Sequence, residues 1–269
     1  MRQQCSLARL LASAAVTAIL AASLGGCQTM SDITGSLTST TEASPNPATD
    51  PRRAVDVYGE RYRANPKDAE AALAYGQALR ATGQRAQAVA VLEQATISHP
   101  GNKALLAGFG RALADNGNFQ QALDVLSRAH SPDNPDWRIL SVQGTALDQL
   151  GRHDEARRYY ASALKIVPDE PSVLSNLGLS YVLSRDLPKA EETLRRAYAS
   201  GRADARVRQN LGLVVGLQGR FAEAETIVKA DLPADEAAAN VAYLKEMLSR
   251  KDNPRSGGSI PVAALNRPD

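Results

Sequence analysis

Residues 103–129 read KALLAGFGRALADNGNFQQALDVLSRA, and their spacing decides how the chain is organised. Two stretches with apolar residues at helical intervals flank the turn around Gly117, which predicts a helix–turn–helix pair. Gly110 lies inside the first stretch, where glycine costs roughly 1 kcal/mol relative to alanine. Outward from it, Gly76, Gly110, Gly144, Gly178 and Gly212 follow one another at a constant spacing of thirty-four positions. A fixed period of that size marks a stack of identical helix pairs. Glycine placed in phase five times points to close packing through the missing side chain.

With position 1 at Ala69, Lys103, Trp137, Pro171 and Ala205, position 8 is glycine throughout. Position 20 is Ala88, Ala122, Ala156, Ala190 and Ala224, and position 27 is Ala95, Ala129, Ala163 and Ala197 before breaking at Asp231. Position 24 carries Leu92, Leu126, Tyr160, Leu194 and Val228. The expected crossing sets Gly at position 8 against Ala at position 20, bringing the two helices of a unit close together, with larger residues at positions 4, 7, 11 and 24 filling the space around the seam. The turn residue at position 15 is Gly83, Gly117, Gly151 and Gly219, with Arg185 in the fourth unit. Arg185 lacks the left-handed freedom of glycine, so its turn is expected to be looser or differently built.

These residues match the pattern of the tetratricopeptide repeat, and the resemblance covers roughly residues 52–250. It implies an all-α, right-handed superhelix of about five helix–turn–helix units over residues 51–250. Asp50-Pro51, with Ala54, Tyr58 and the closing Pro66, reads as a half-repeat ahead of them. Ala234 to Arg250 reads as a capping helix whose face of Val241, Leu244, Met247 and Leu248 seals the last unit.

The N-terminus has Arg2 and Arg9, then an apolar run from Leu10 to Leu24, as a signal-peptide core does. The run ends at Leu24-Gly25-Gly26-Cys27, which resembles the bacterial lipobox. That resemblance implies a signal peptide over residues 1–26, a lipid on the Cys27 thiol as the only attached group, and no cofactor. Two or more acyl chains then hold the protein at a membrane surface. Gln28 after the cysteine favours the outer membrane, with the protein facing the periplasm. Residues 27–50 are rich in Ser, Thr, Pro and Ala and read as a flexible tether. The tail, residues 251–269, reads as disordered, with Ile260-Pro261-Val262 as a short segment able to dock.

Charge and cysteine usage exclude several functions. The 31 Lys and Arg exceed the 29 Asp and Glu only by Arg2 and Arg9, which leave with the signal. A balanced mature chain gives no electrostatic support for nucleic acid. Cys5 also departs and Cys27 carries lipid, so no thiol remains for a disulfide, zinc site or nucleophile. His99, His130 and His153 fall near turns at different repeat positions and are not expected to bind metal. His153-Asp154-Glu155 reads as an acidic first turn of a helix, and Arg157-Arg158-Tyr159-Tyr160 as a helix with one packed and one solvated face. No phosphate loop, zincin motif or nucleophile elbow is present. An enzyme is not expected.

What remains is recognition of proteins. In tetratricopeptide arrays the first helix of each unit lines the concave face, with positions 2, 5, 9, 12 and 13 pointing into it. Glu70, Gln77, Arg80, Arg111, Asp115, Arg138, Thr145 and Asp148 give units one to three a mixed polar lining. Leu179, Val182, Leu183, Leu213 and Leu217, rimmed by Arg206 and Gln209, give units four and five an apolar one. That stretch is the expected partner site. The competing reading is that the last helix or the tail folds over it. Asn176 and Asn210 occur at a position used in peptide-clamping repeats and equally in unspecialised ones.

The lipobox, tether, Asp50-Pro51-Arg52-Arg53 half-repeat, five units and closing Asn240-Val241-Ala242-Tyr243-Leu244 helix together resemble the repeat lipoproteins of the tight-adherence (Flp) pilus system. The resemblance implies an envelope scaffold that assists pilus assembly or its secretin channel. An adaptor for peptidoglycan enzymes or outer-membrane protein assembly is the alternative, and an envelope enzyme at the His153 turn a third.

Overall fold

In the computed structural model, residues 50–252 are described. The signal segment, Cys27, the tether up to residue 49 and the tail from residue 253 lie outside the described residues. The chain forms α1 (Pro51–Ala64), then the pairs α2 (Ala69–Ala81) and α3 (Arg85–Ser98), and α4 (Lys103–Asp115) and α5 (Phe119–Ala129). The pairs α6 (Trp137–Gln149) and α7 (His153–Ile166), α8 (Pro171–Leu183) and α9 (Leu187–Ala199), and α10 (Ala205–Leu217) and α11 (Phe221–Val228) follow, and α12 (Ala234–Asp252) ends the series. This is the expected all-α array of helix pairs, with its half-repeat and closing helix.

A ladder of N-caps starts the first helix of every unit. Asp68, Asn102, Asp136, Glu170 and Asp204 share the spacing of the glycines and accept backbone N–H bonds, for example from Glu70 at 2.8 Å and Arg138 at 2.7 Å. Each cap is worth roughly 1 kcal/mol. Sequence periodicity carried this signal as plainly as the glycines, one residue before position 1.

The glycines at position 8 make room for the large residue of position 24, one of those expected to fill the seam. A Cβ built on Gly76 would stand 2.5 Å from Leu92 Cγ, one on Gly144 2.5 Å from Tyr160 Cε1, and one on Gly178 2.6 Å from Leu194 Cγ. Position 8 therefore receives the large side chain of position 24, and at Gly212 the backbone of the position-20 alanine, Ala224, also comes within 3.4 Å. The alanines of position 20 are almost wholly buried. A branched or aromatic residue reaching across the pair fills the space left by the absent Cβ, which joins the helices more firmly than two small residues would.

The Arg185 turn also departs from expectation. It is built like the others: Arg185 sits at φ 61° beside Gly151 at 75° and Gly117 at 86°. Its neighbour Asp186 donates its N–H to Tyr181 O at 2.9 Å, as Arg152 does to Leu147 O at 2.9 Å. The bonds that close helix α8 hold the arginine in a left-handed conformation that costs an L-residue about 1–2 kcal/mol. Arg185→Gly is accordingly expected to stabilise the array by about 1 kcal/mol in urea unfolding. A neutral or destabilising result would show that the arginine side chain offsets its backbone strain.

The backbones of the even-numbered helices approach one another from α2 to α12, whereas those of the odd-numbered helices do not. The even helices thus form the inner row and the odd ones the outer. Long side chains join the outer row instead. Glu191 on α9 accepts from Arg220, Arg195 and Gln218, and Arg195 also reaches Glu223 on α11. The Arg220 hydrogen bond, helped by those of Arg195 and Gln218, lowers the Glu191 pKa to about 2, so the carboxylate stays charged throughout the physiological range.

Two units break the pattern. Helix α5 stops at Ala129, and residues 130–136 form a longer link, with a single β-bridge between Ser131 and Asn134. Helix α11 ends at Val228, so Asp231 leaves the helical register and instead pairs with Arg208 through both carboxylate oxygens. Arg208 in turn holds the Asp231 carboxyl below its ordinary range. Beyond it, α12 continues the inner row. Ala237 and Leu244 are buried, Leu244 filling the space beside Gly216, and Val241, Met247 and Leu248 are half-buried.

Candidate functional site

The inner row places the expected partner residues side by side on α8 and α10. Leu183 is 51% exposed; Leu179, Val182, Leu213 and Leu217 are half-buried, and Arg206 and Gln209 are exposed. Helix α12 packs on α10 and α11 in series and does not approach α8. Among the described residues, then, the last helix extends the row and leaves Leu183 open; the tail lies outside them.

The polar half of the row is more ordered than its sequence suggests. Arg80 on α2 donates to Asp115 on α4 at 2.6 Å. Asn176 donates to Ser141 Oγ at 3.1 Å and Asn210 to Ser175 Oγ at 2.8 Å, so both amides tie successive inner helices together. Each amide thus has a stacking role between neighbouring repeats.

Asp148 does not line the groove as expected. It is 7% exposed and accepts three hydrogen bonds: from Ser180 Oγ at 2.8 Å, His153 Nδ1 at 2.9 Å and Tyr160 Oη at 3.0 Å. A carboxylate only accepts, so His153 carries its proton on Nδ1 in this pairing. Burial, and then the Asp148 charge, push the Tyr160 phenol well above its ordinary pKa, so it remains a donor. Position 12 of the third unit therefore points between α7 and α8. Its three partners are spread over separate turns, a signal that sequence spacing does not display.

The same geometry bears on the envelope-enzyme reading. Asp154 pairs with Arg157 and Glu155 with Arg152 at 2.7 Å, both away from His153. Ser180 donates to Asp148 and not to the histidine, so the three do not line up as a hydroxyl–imidazole–carboxylate relay. His99 Nε2 meets Lys67 O at 2.7 Å, far along the chain from this cluster. No group of three metal-ligating side chains occurs among the described residues.

A second feature of the row escaped the sequence reading. A hollow of about 430 Å³ opens between the N-terminal halves of α4 and α6, under the link 130–136. Ala104 and Ala107 line it from α4, Trp137 and Arg138 from α6, and His130 and Asp136 from the link. The Arg138 guanidinium lies 4.4 Å from the centre of the Trp137 ring. Pro132, standing where α3 and α7 still have helix, was the available sign of it.

Comparison with known proteins agrees with this architecture. The tetratricopeptide repeat family matches residues 108–171 and again residues 146–214. The family of anaphase-promoting complex, cyclosome, subunit 3 matches residues 56–129. Among curated proteins there is no sequence match. PilW, described as a widely conserved type IV pilus biogenesis factor, is a similar solved structure, with a TM-score of 0.63 and 18% identity over 72% of this chain and 92% of that one. A thermophilic repeat protein of Thermus thermophilus gives 0.58 and 22%, over 66% and 98%. A chain of the Cut9–Hcn1 hetero-tetramer gives 0.59 and 18% over 74% of this chain, which spans only 41% of that longer one. At these identities the likeness is one of fold.

Proposed function

We propose that this tetratricopeptide-repeat protein is an interaction scaffold, anchored by lipid on Cys27 at the periplasmic face of the outer membrane, that assists assembly of a tight-adherence pilus or its secretin. The observation that carries the scaffold reading is the open apolar strip of Leu179, Val182, Leu183, Leu213 and Leu217 on the inner row. Such a strip suits the apolar face of a partner helix or extended segment. The lipobox, tether and half-repeat layout favours the pilus among envelope machines, and the fold shared with PilW is consistent with it.

Capture of the lipidated chain from envelopes tests both levels. A secretin or another pilus component is expected in the captured material. Leu183→Asp combined with Leu217→Asp is expected to lower its yield at least tenfold while helicity stays unchanged. Capture of murein hydrolases alone would overturn the pilus reading. A double variant that binds as well as the parent would remove the strip as the site.

A further inference from the structure

We propose that the hollow beside Trp137 is a docking site for acidic side chains of an extended partner segment, with Arg111 and Arg138 receiving its carboxylates. Four cations surround this part of the inner row: Lys103, Arg138, Arg111 and Arg80. The two acids among them are already committed. Asp115 pairs with Arg80 at 2.6 Å, and Asp136 caps α6 by accepting from the Arg138 N–H at 2.7 Å. Arg111 is half-buried and makes no hydrogen bond or ion pair among the described residues. Its burial, and next the nearby Arg80 charge, lower its pKa, with Arg138 acting the same way and Asp136 and Asp115 opposing them. An entering carboxylate would relieve both effects, and the planar guanidinium presents the fork that carboxylates fit.

The space for such a segment is specific to this unit. At inner-row positions 2 and 5, α4 carries Ala104 and Ala107, and α8 has the similarly small Ser172 and Ser175, but the link after α5 is longer than the one after α7. The early end of α5 then opens the hollow, and Trp137 supplies a flat apolar wall. Arg138, Arg111 and Arg80 belong to three successive inner helices, so the cations run across the row instead of converging on a point. That spread suits a chain carrying several carboxylates better than a small anion.

The inference rests on the inner row being a binding surface, but it uses different residues from the apolar strip. Trp137 is the single tryptophan of the chain, so its fluorescence reports on the hollow directly. Poly-L-glutamate of about 20 residues, added to the lipidated chain in detergent, is expected to change that emission saturably, with affinity falling as salt rises. Arg111→Gln and Arg138→Gln should each weaken binding about tenfold without loss of helicity, while Arg111→Lys retains part of it. An unchanged emission, equal binding of poly-L-lysine, or an Arg111→Gln affinity within twofold of the parent would overturn the proposal. A silent titration beside successful envelope capture removes this site alone. A positive titration without pilus capture removes the pilus reading and leaves the site.

Discussion

Gly144→Ala is expected to destabilise the protein by about 2–3 kcal/mol, although the same change in an open helix would stabilise it by about 1 kcal/mol. A methyl group at residue 144 would meet Tyr160 Cε1 at 2.5 Å, Cζ at 2.8 Å and Cδ1 at 2.9 Å. The ring is rigid, fully buried, and tied at its far end to Asp148. It cannot yield without giving up that bond, so overpacking and a lost charge-assisted hydrogen bond add together. At Gly178 the obstacle is the aliphatic side chain of Leu194, which has rotamers to spare and no hydrogen bond to lose, so Gly178→Ala should cost less. Urea unfolding followed by circular dichroism checks the order. In a Tyr160→Ala background, Gly144→Ala should become neutral or stabilising. If it remains as costly as in the parent, the tyrosine is not what the glycine makes room for.

That contrast shows how far the sequence could be read. A constant period fixes which positions are equivalent, and thereby the helices, turns and inner row. It does not say how equivalent contacts differ. Position 24 faces the glycine in every unit, but whether its side chain can yield, as Leu194 can and Tyr160 cannot, has no period. Arg185 was misread for a related reason: the turn is imposed by packing on both sides, so an unsuitable residue adopts the left-handed conformation. The apolar strip was legible because leucines at groove positions survive as a pattern. The hollow depends on α5 ending a turn earlier than α3, and the Asp148 cluster on partners from three turns. Neither has a period to reveal it.

The Asp148 cluster is also where a substitution should alter cooperativity as well as stability. The apolar core of the array is interrupted: one cluster runs from Ala72 to Ile139, a second gathers around Tyr160 and reaches Val173 on α8, and the remainder starts with Leu174, Ala190 and Leu194. Repeat arrays unfold as one body only while each interface is strong enough to couple its neighbours. Asp148 spans the junction of the third and fourth units, joining α6 to Ser180 on α8 and to Tyr160 and His153 on α7. Asp148→Ala leaves the Ser180 hydroxyl buried without its acceptor and the Tyr160 hydroxyl with only Thr145 Oγ1 at 3.3 Å. These two losses, at about 1–3 kcal/mol each, predict a destabilisation of about 3–4 kcal/mol. Asp148→Asn keeps the volume and one acceptor oxygen and should cost about half as much. Because the loss falls on a single interface, the urea transition of Asp148→Ala should broaden or divide, the units before α7 and after α8 melting apart. Hydrogen exchange resolved by helix would show which side opens first. A sharp single transition, displaced by no more than the roughly 0.5 kcal/mol of an ordinary surface substitution, would mean that the apolar contacts alone couple the two halves. The buried carboxylate would then have no structural role.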